Sequence, residues 1–228
     1  MTTLQTPIMD AFSILESGQD TGHEAGAFPT RVLLYIESLL PAKLNATAET
    51  GCGKSTMLLS NIADRHTVFC IDDMSRPNGS MPFWKNCPLT KLDRIEVVLG
   101  PTQTTLPRYA HKVKYDLVLI DGPHGWPFPE LEYVHFYPHI RNNGYLIVDD
   151  VNIPTIGHMA DIIAEDQMWE LIDVVETTAM FRRTEAPTFD PFGDGWWLQA
   201  YNRRRLDRSR PEWLDDTVVH DQVTRRFR

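Results

Sequence analysis

Ala48-Glu49-Thr50-Gly51-Cys52-Gly53-Lys54-Ser55-Thr56 is the stretch whose reading decides the fold. Read from Ala48, it nearly fits the phosphate loop of a nucleoside triphosphatase, with Ala48 where the first glycine belongs, ahead of Gly53-Lys54-Ser55. Read from Glu49, it is an acidic residue followed by Gly-x-Gly. That pattern marks a strand-to-helix turn that holds a nucleoside cofactor in a Rossmann-like sheet. The strand before it counts against a phosphate loop, as does Ala48 in place of the first glycine. Leu44–Glu49 forms a short, rather polar strand, and Ser55 opens a helix carrying Met57, Leu58, Leu59 and Ile62.

The next strand separates the two. Thr67–Ile71 runs into Asp72-Asp73, and Asp72 lies 19 residues after Gly53. A carboxylate about 20 residues beyond a glycine turn, at the end of the second strand, suits ribose hydroxyls. A phosphate loop has no use for it, although Asp149 or Asp150 could serve as its magnesium-holding acid. The dinucleotide fingerprint is also incomplete, because Thr56 stands where its third glycine would be.

Further along, Ile95–Leu99 and the apolar Tyr115–Ile120 read as strands, the second ending at Asp121-Gly122-Pro123-His124. A helix over Pro129–Ile140 leads to Asn142-Asn143-Gly144, a turn, and the strand Tyr145–Val148 stops at Asp149-Asp150. A helix over Ile156–Trp169 follows. A strand over Leu171–Glu176 and a last one over Trp196–Tyr201 are then joined by the Thr184–Gly195 loop. The pattern predicts an α/β, Rossmann-like doubly wound fold: a mostly parallel seven-stranded sheet with an antiparallel C-terminal hairpin strand.

Residues 1–202 make one domain, with 1–43 as a helical lead-in whose helix spans Phe28–Leu40. Residues 203–228 form a charged extension, with eight Arg against five acidic residues. A chain of 228 residues and 42% apolar content suits one globular domain. Its net charge of −9 argues against a nucleic-acid partner. No apolar run approaches the ~20 residues that span a bilayer. The first basic residue is Arg31, so a basic presequence flank is lacking. Cys52, Cys70 and Cys87 are too few and too irregular for a disulfide framework or a zinc site. A cytoplasmic protein is expected, its oligomeric state open to a homo-oligomer.

S-adenosylmethionine fits the glycine turn best, since it has ribose and adenine but no phosphate, and Glu49 offers negative charge to an ammonium and sulfonium ligand. The chain resembles the class I methyltransferases, in particular the bacterial small O-methyltransferases acting on sugars and secondary metabolites. The resemblance covers roughly residues 30–201. It is carried by Glu49–Thr56, by Cys70-Ile71-Asp72-Asp73, by Asp116–His124 and by Asn143–Asp150.

The resemblance implies that Glu49, Gly51 and Gly53 border the methionine part of the cofactor, that Asp72 holds the ribose, and that Gly100–Gln103 flank the adenine. Ser55, Asp73 and Asp121 complete the implied cofactor set. Asp121 and His124 are the catalytic candidates. An alcohol acceptor must lose a proton, either to a base such as His124 or through a divalent ion such as Mg2+ that lowers its pKa. Asp121, Asp149 and Asp150 match the positions at which related O-methyltransferases hold that ion.

The implied acceptor is a small molecule or a glycan hydroxyl, met by loops that carry Trp84, Trp126, Phe128, Phe189, Phe192 and Trp196. Two other functions stay open on sequence alone. One is a phosphate-loop NTPase or kinase using residues 48–55, and the other is a non-catalytic cofactor-binding protein.

Overall fold

The structure is a computed structural model and describes residues 28–206 except 76, 191 and 192. The expectations for residues 1–27 and for most of the charged extension lie outside the described residues. So does Phe192.

The chain begins with helix α1 (Thr30–Leu39) and strand β1 (Leu44–Thr50), followed by α2 (Lys54–Ile62) and β2 (Ala63–Cys70). A short helix α3 (Ser80–Lys85) precedes β3 (Ile95–Leu99), and α4 (Thr102–Thr105) precedes β4 (Tyr115–Ile120). Then come α5 (Phe128–Phe136), β5 (Ile140–Val148), α6 (Pro154–Glu165), β6 (Trp169–Val175), β7 (Thr178–Arg183) and α7 (Ala200–Leu206). The strands form one seven-stranded sheet in the order β3-β2-β1-β4-β5-β7-β6. β1 to β5 pair in parallel, and β7 lies antiparallel between β5 and β6.

β4, at the centre of the sheet, is buried on both faces, which explains why it reads as an apolar run rather than an alternation. Val32 and Leu33 of α1, Met57 and Leu58 of α2, and Trp84 pack on one side. Phe136, Ile156, Ile163 and Phe181 pack on the other. The polar β1 is equally buried, because its hydrogen-bonding groups are answered from inside. Asp116 Oδ2 accepts the backbone N–H groups of Asn45 (2.6 Å) and Ala46 (2.8 Å), and Arg141 closes an ion pair on Asp116. Backbone groups partnered in this way lose little by burial.

The C-terminal hairpin sits elsewhere than the sequence predicts. Its second strand is Thr178–Arg183, and Trp196–Tyr201 is instead a 3-10 turn running into α7. The hairpin turns at Glu176-Thr177, where Glu176 holds φ 55° without a glycine or asparagine to announce it. The Pro- and Gly-rich Thr184–Gly195 stretch is a loop pinned by Arg183. Its buried guanidinium donates to the carbonyls of Thr184 and Ala186 (both 2.7 Å). Arg141–Gly144 also differs from expectation. It belongs to β5, with Asn143 at φ 61° beside a register shift against β4. α7 runs across the expected domain boundary at 202, and Arg204 and Arg205 hold Glu165 of α6 at 2.6 and 3.0 Å.

Neighbours of β1 are connected in opposite directions, β2 and β3 to one side and β4 and β5 to the other. The crevice beyond the carboxyl ends of β1 and β4 is therefore the topological switch point, where doubly wound sheets take their ligands.

Candidate active site

Two cavities open at that switch point and share Gly51, Cys70, Ile71 and Asp121. The first, about 400 Å³, is acidic: Asp72, Asp121, Asp149, Asp150 and His124 line it, with Phe28 and Pro29 on its rim. The second, about 340 Å³, is mostly apolar, built from Phe69, Ile71, Pro101, Thr102, Gln103, Gly122 and Pro123.

Gly51 is the hinge between them. Its φ of +80° lies in the left-handed region, and a Cβ there would stand 2.3 Å from the Asp121 carbonyl oxygen. Its own N–H donates to Phe69 O at 2.9 Å, so the β1–β2 ladder continues into the turn.

Behind the turn, Glu49 is fully buried. Its Oε1 accepts from the Thr56 hydroxyl and lies 3.1 Å from His66 Nε2, while Thr56 Oγ1 accepts the Gly53 N–H at 2.9 Å. His66 Nδ1 is in turn 2.9 Å from Thr47 Oγ1. The third-glycine position thus carries a threonine that ties the loop to β1.

Lys54 and Ser55 are buried in the first turn of α2. Neither lines the cavities, and neither do Glu49, Gly53 or Asp73. The charge that Glu49 was expected to offer a cofactor is turned inward. A phosphate loop needs its lysine free to reach phosphates, and this lysine is buried at the start of α2 and lines neither cavity.

The remaining expected cofactor residues do converge. Asp72 lines the acidic cavity, with Oδ1 and Oδ2 oriented by the N–H groups of Asp73 (3.0 Å) and Met81 (2.9 Å). Asp73 instead caps its own turn by accepting Ser75 N–H at 2.8 Å. Gln103 lines the apolar cavity, and its buried Oε1 has no hydrogen-bond partner among the described residues. An acceptor left unpaired in such a pocket is a vacant place for an N–H donor, such as an adenine amino group.

At the floor of the acidic cavity, Asp121, His124 and Asp150 present one ligand atom each, all within 4.8 Å of one another. His124 Nε2 is 3.0 Å from Asp150 Oδ2 and 3.6 Å from Asp121 Oδ1. Asp150 is held at φ 56°, a conformation Asp tolerates better than most residues. Asp149, expected in the metal set, is engaged elsewhere: its Oδ1 accepts from the hydroxyls of Thr178 (2.6 Å) and Thr177 (3.5 Å). The structure therefore brings Asp121 and Asp150 together with His124 in the third place.

Burial, with Asp149 nearby, pushes Asp121 up to about 7, against the pull of His124. His124 is raised above its ordinary value, first by its hydrogen bond to Asp121 and then by the surrounding carboxylates, against desolvation. Asp149 is raised by burial and restrained by Thr178.

Sequence reading missed Glu132, Thr50 and Thr177. Glu132 sits on the buried face of α5 with Pro129 and Phe136, fully inaccessible. That i, i+3, i+7 spacing was the available signal. Of the expected acceptor aromatics, Trp84 is in the core and Phe189 packs against the second core cluster, whereas Trp126 is 70% exposed on the loop after His124.

Burial pushes Glu132 from 4.5 up to about 7, although the Thr50 and Thr102 hydroxyls hold it down. A carboxyl raised on folding stabilises below its unfolded pKa and loses that contribution as pH rises through the folded one. Glu132 should therefore cost stability progressively between pH 4.5 and about 7. The sum is about 3 kcal/mol at 1.36 kcal/mol per unit. The melting temperature of Glu132→Gln relative to the native protein should rise over that window. A constant difference from pH 4 to 8 would refute the assignment.

A family profile described as a methyltransferase domain matches residues 48–151, from the glycine turn through Asp149-Asp150. No curated protein sequence matches the chain. Solved structures share the fold of this chain. A putative O-methyltransferase from Klebsiella pneumoniae matches with a TM-score of 0.59 at 15% identity, over 79% of this chain and 91% of that one. The O-methyltransferase from Bacillus cereus, in complex with SAH, matches with a TM-score of 0.57 at 14% identity, over 79% and 92%. MycE, from the mycinamycin biosynthetic pathway and in complex with Mg, SAH and mycinamycin VI, matches with a TM-score of 0.53 at 13% identity, over 82% of this chain and 58% of that one. At these identities the likeness is one of fold. Among the described residues, no helix is long and apolar enough to cross a membrane.

Proposed function

We propose that the protein transfers a methyl group from S-adenosylmethionine to a hydroxyl of a small molecule or glycan. The observation that carries this reading is the pair of joined cavities at the switch point, one apolar with the unpaired Gln103 Oε1 and one acidic with Asp72 at its lip. An adenine fits the first, a ribose and a cationic methionine part fit the second, and Gly51 joins them. The complexes of the Bacillus cereus enzyme and of MycE with SAH support the same cofactor class here.

S-adenosylmethionine supplies a methyl already activated by its sulfonium. The protein's work is to align the acceptor with that methyl and to manage one proton. His124 stands at the cavity floor with Nε2 turned to two carboxylates, which hold its ring in place and favour the protonated ring that forms when it accepts a hydroxyl proton. The same Asp121, His124 and Asp150 would hold a divalent ion. Their ligand atoms are close enough together for one ion, and mixed carboxylate and imidazole donors suit several divalent metals. Such an ion would lower the pKa of the acceptor hydroxyl. Asp149 would then orient the Thr177–Thr178 rim instead of binding metal. Glu49 would act through the loop that it ties down. The expected cytoplasmic location and a small-molecule acceptor belong to this proposal.

Asp72→Ala should raise the dissociation constant of S-adenosylmethionine about tenfold, the loss of one or two charge-assisted hydrogen bonds to the ribose. Asp73→Ala should leave it nearly unchanged. Calorimetry on both variants decides, and equal losses would remove Asp72 from the ribose role. Activity itself is read with methyl-labelled cofactor over a panel of catechols, flavonoids, sugars and amines, with and without chelator. Transfer to amines alone would overturn the hydroxyl assignment.

A further inference from the structure

The last paired residues of β1 and β4 are Glu49 and Leu119. Beyond them the pairing of the two strands ends, and the Asp121 N–H, just past the end of β4, makes no ladder bond to β1. It donates instead to Thr50 Oγ1 at 3.0 Å, and the Thr50 hydroxyl donates to Glu132 Oε2 at 2.7 Å. Glu132 comes from α5, on the far side of the β4–α5 loop, and its side chain is fully buried. Its other oxygen lies where a Cβ on Gly122 would sit, 2.1 Å away, so the glycine leaves room for the carboxyl beneath the loop.

A buried acid is expensive to keep unless its hydrogen bonds do something that a hydrophobic residue could not. Here it stands where a ladder rung is missing. It joins the tip of β1 to the backbone that carries Asp121, a residue lining both cavities.

We infer that Glu132 is a positioning residue, acting through Thr50 to hold the fork between β1 and β4 open and to fix the Asp121–His124 segment against the cofactor. The inference rests on the cofactor reading above for its binding readout and on the fold alone for its structural one. Glu132 touches neither cavity. Its action is that of a hydrogen-bond acceptor rather than a charge, because Thr50 offers it a proton and no cationic side chain pairs with it among the described residues.

The test uses the full chain with Glu132→Gln, Glu132→Ala and Thr50→Val, read by calorimetry with S-adenosylhomocysteine and by amide hydrogen exchange over residues 121–124. Glu132→Gln keeps an acceptor oxygen for Thr50, so affinity should stay within about threefold of native and exchange unchanged. Glu132→Ala and Thr50→Val should each weaken binding about tenfold or more and speed exchange at Asp121, the cost of a buried hydrogen-bond group left without its partner. If Glu132→Ala does not fold, the nearly isosteric Thr50→Val carries the comparison. Native affinity and native exchange in Thr50→Val would overturn the inference, as would Glu132→Gln damaged as badly as Thr50→Val. If the native protein itself fails to bind S-adenosylhomocysteine, the cofactor reading falls. The exchange pattern then still decides the role of Glu132 in the fork.

Discussion

Gly51→Ala should abolish measurable cofactor binding while the sheet still forms. Two costs add at this position. An L-residue at φ +80° pays about 1–2 kcal/mol for the left-handed backbone. The added Cβ would also stand 2.3 Å from the Asp121 carbonyl oxygen, a backbone atom that cannot swing aside like a side-chain tip. Relief requires the turn to move away from the Asp121 backbone, and Gly51 and Asp121 both line both cavities. A combined cost of roughly 3 kcal/mol or more corresponds to over a hundredfold in dissociation constant. Gly193→Ala is the control, because it is remote from the cleft in sequence and has φ outside the left-handed region. Calorimetry with S-adenosylmethionine on both variants checks the expectation, with circular dichroism to confirm the fold. Native affinity in Gly51→Ala would mean that the turn does not touch the cofactor.

His124→Ala is the second large effect. Loss of a positioned general base typically costs about 10²–10⁴ in turnover. Cofactor affinity should change less than about threefold, since the imidazole lies at the acidic floor and lines only one of the two cavities. The neighbouring carboxylates raise the pKa of His124. The imidazole must be deprotonated to act as base, so turnover should climb with pH through a value above the ordinary histidine range. That limb should be absent from the residual activity of His124→Ala. Undiminished turnover in the variant would assign the proton elsewhere, and if chelator then abolished activity, to a metal ion held by the aspartates.

The parallel half of the fold was legible in the sequence because its signals are local. Each of β2, β4 and β5 ends in an apolar run followed by aspartates, and the crevice of a doubly wound sheet lies at those residues. The hairpin was not legible in its details. Glu176-Thr177 turns through a positive φ on a residue type that seldom marks one, while the Pro- and Gly-rich stretch that looks like the turn is a loop held from within by Arg183.

Sequence reading put Asp72, by its spacing, and Asp121, His124 and Gln103, by resemblance, in one site, and all four line the cavities. It placed Glu49 on the right turn but was silent on which way its side chain faces. Facing depends on His66 and Thr56, whose hydrogen bonds draw the carboxylate into the sheet. Asp149 and Asp150 are adjacent in sequence, yet the backbone at Asp150 turns left-handed and sends one carboxylate to His124 and the other to Thr178. Glu132 was hidden for the opposite reason. An acid in a helix reads as solvent-facing, and only its placement between Pro129 and Phe136 on the buried face says otherwise.

The glycine loop that raised two readings is also where the account is most directly tested. Isothermal titration of the native protein with S-adenosylmethionine and, separately, with Mg-ATP sets one against the other. Saturable 1:1 binding of S-adenosylmethionine, lost in Gly51→Ala, is expected, with no heat from Mg-ATP. Tight Mg-ATP binding without S-adenosylmethionine binding would contradict it and return Lys54 to the centre of the site.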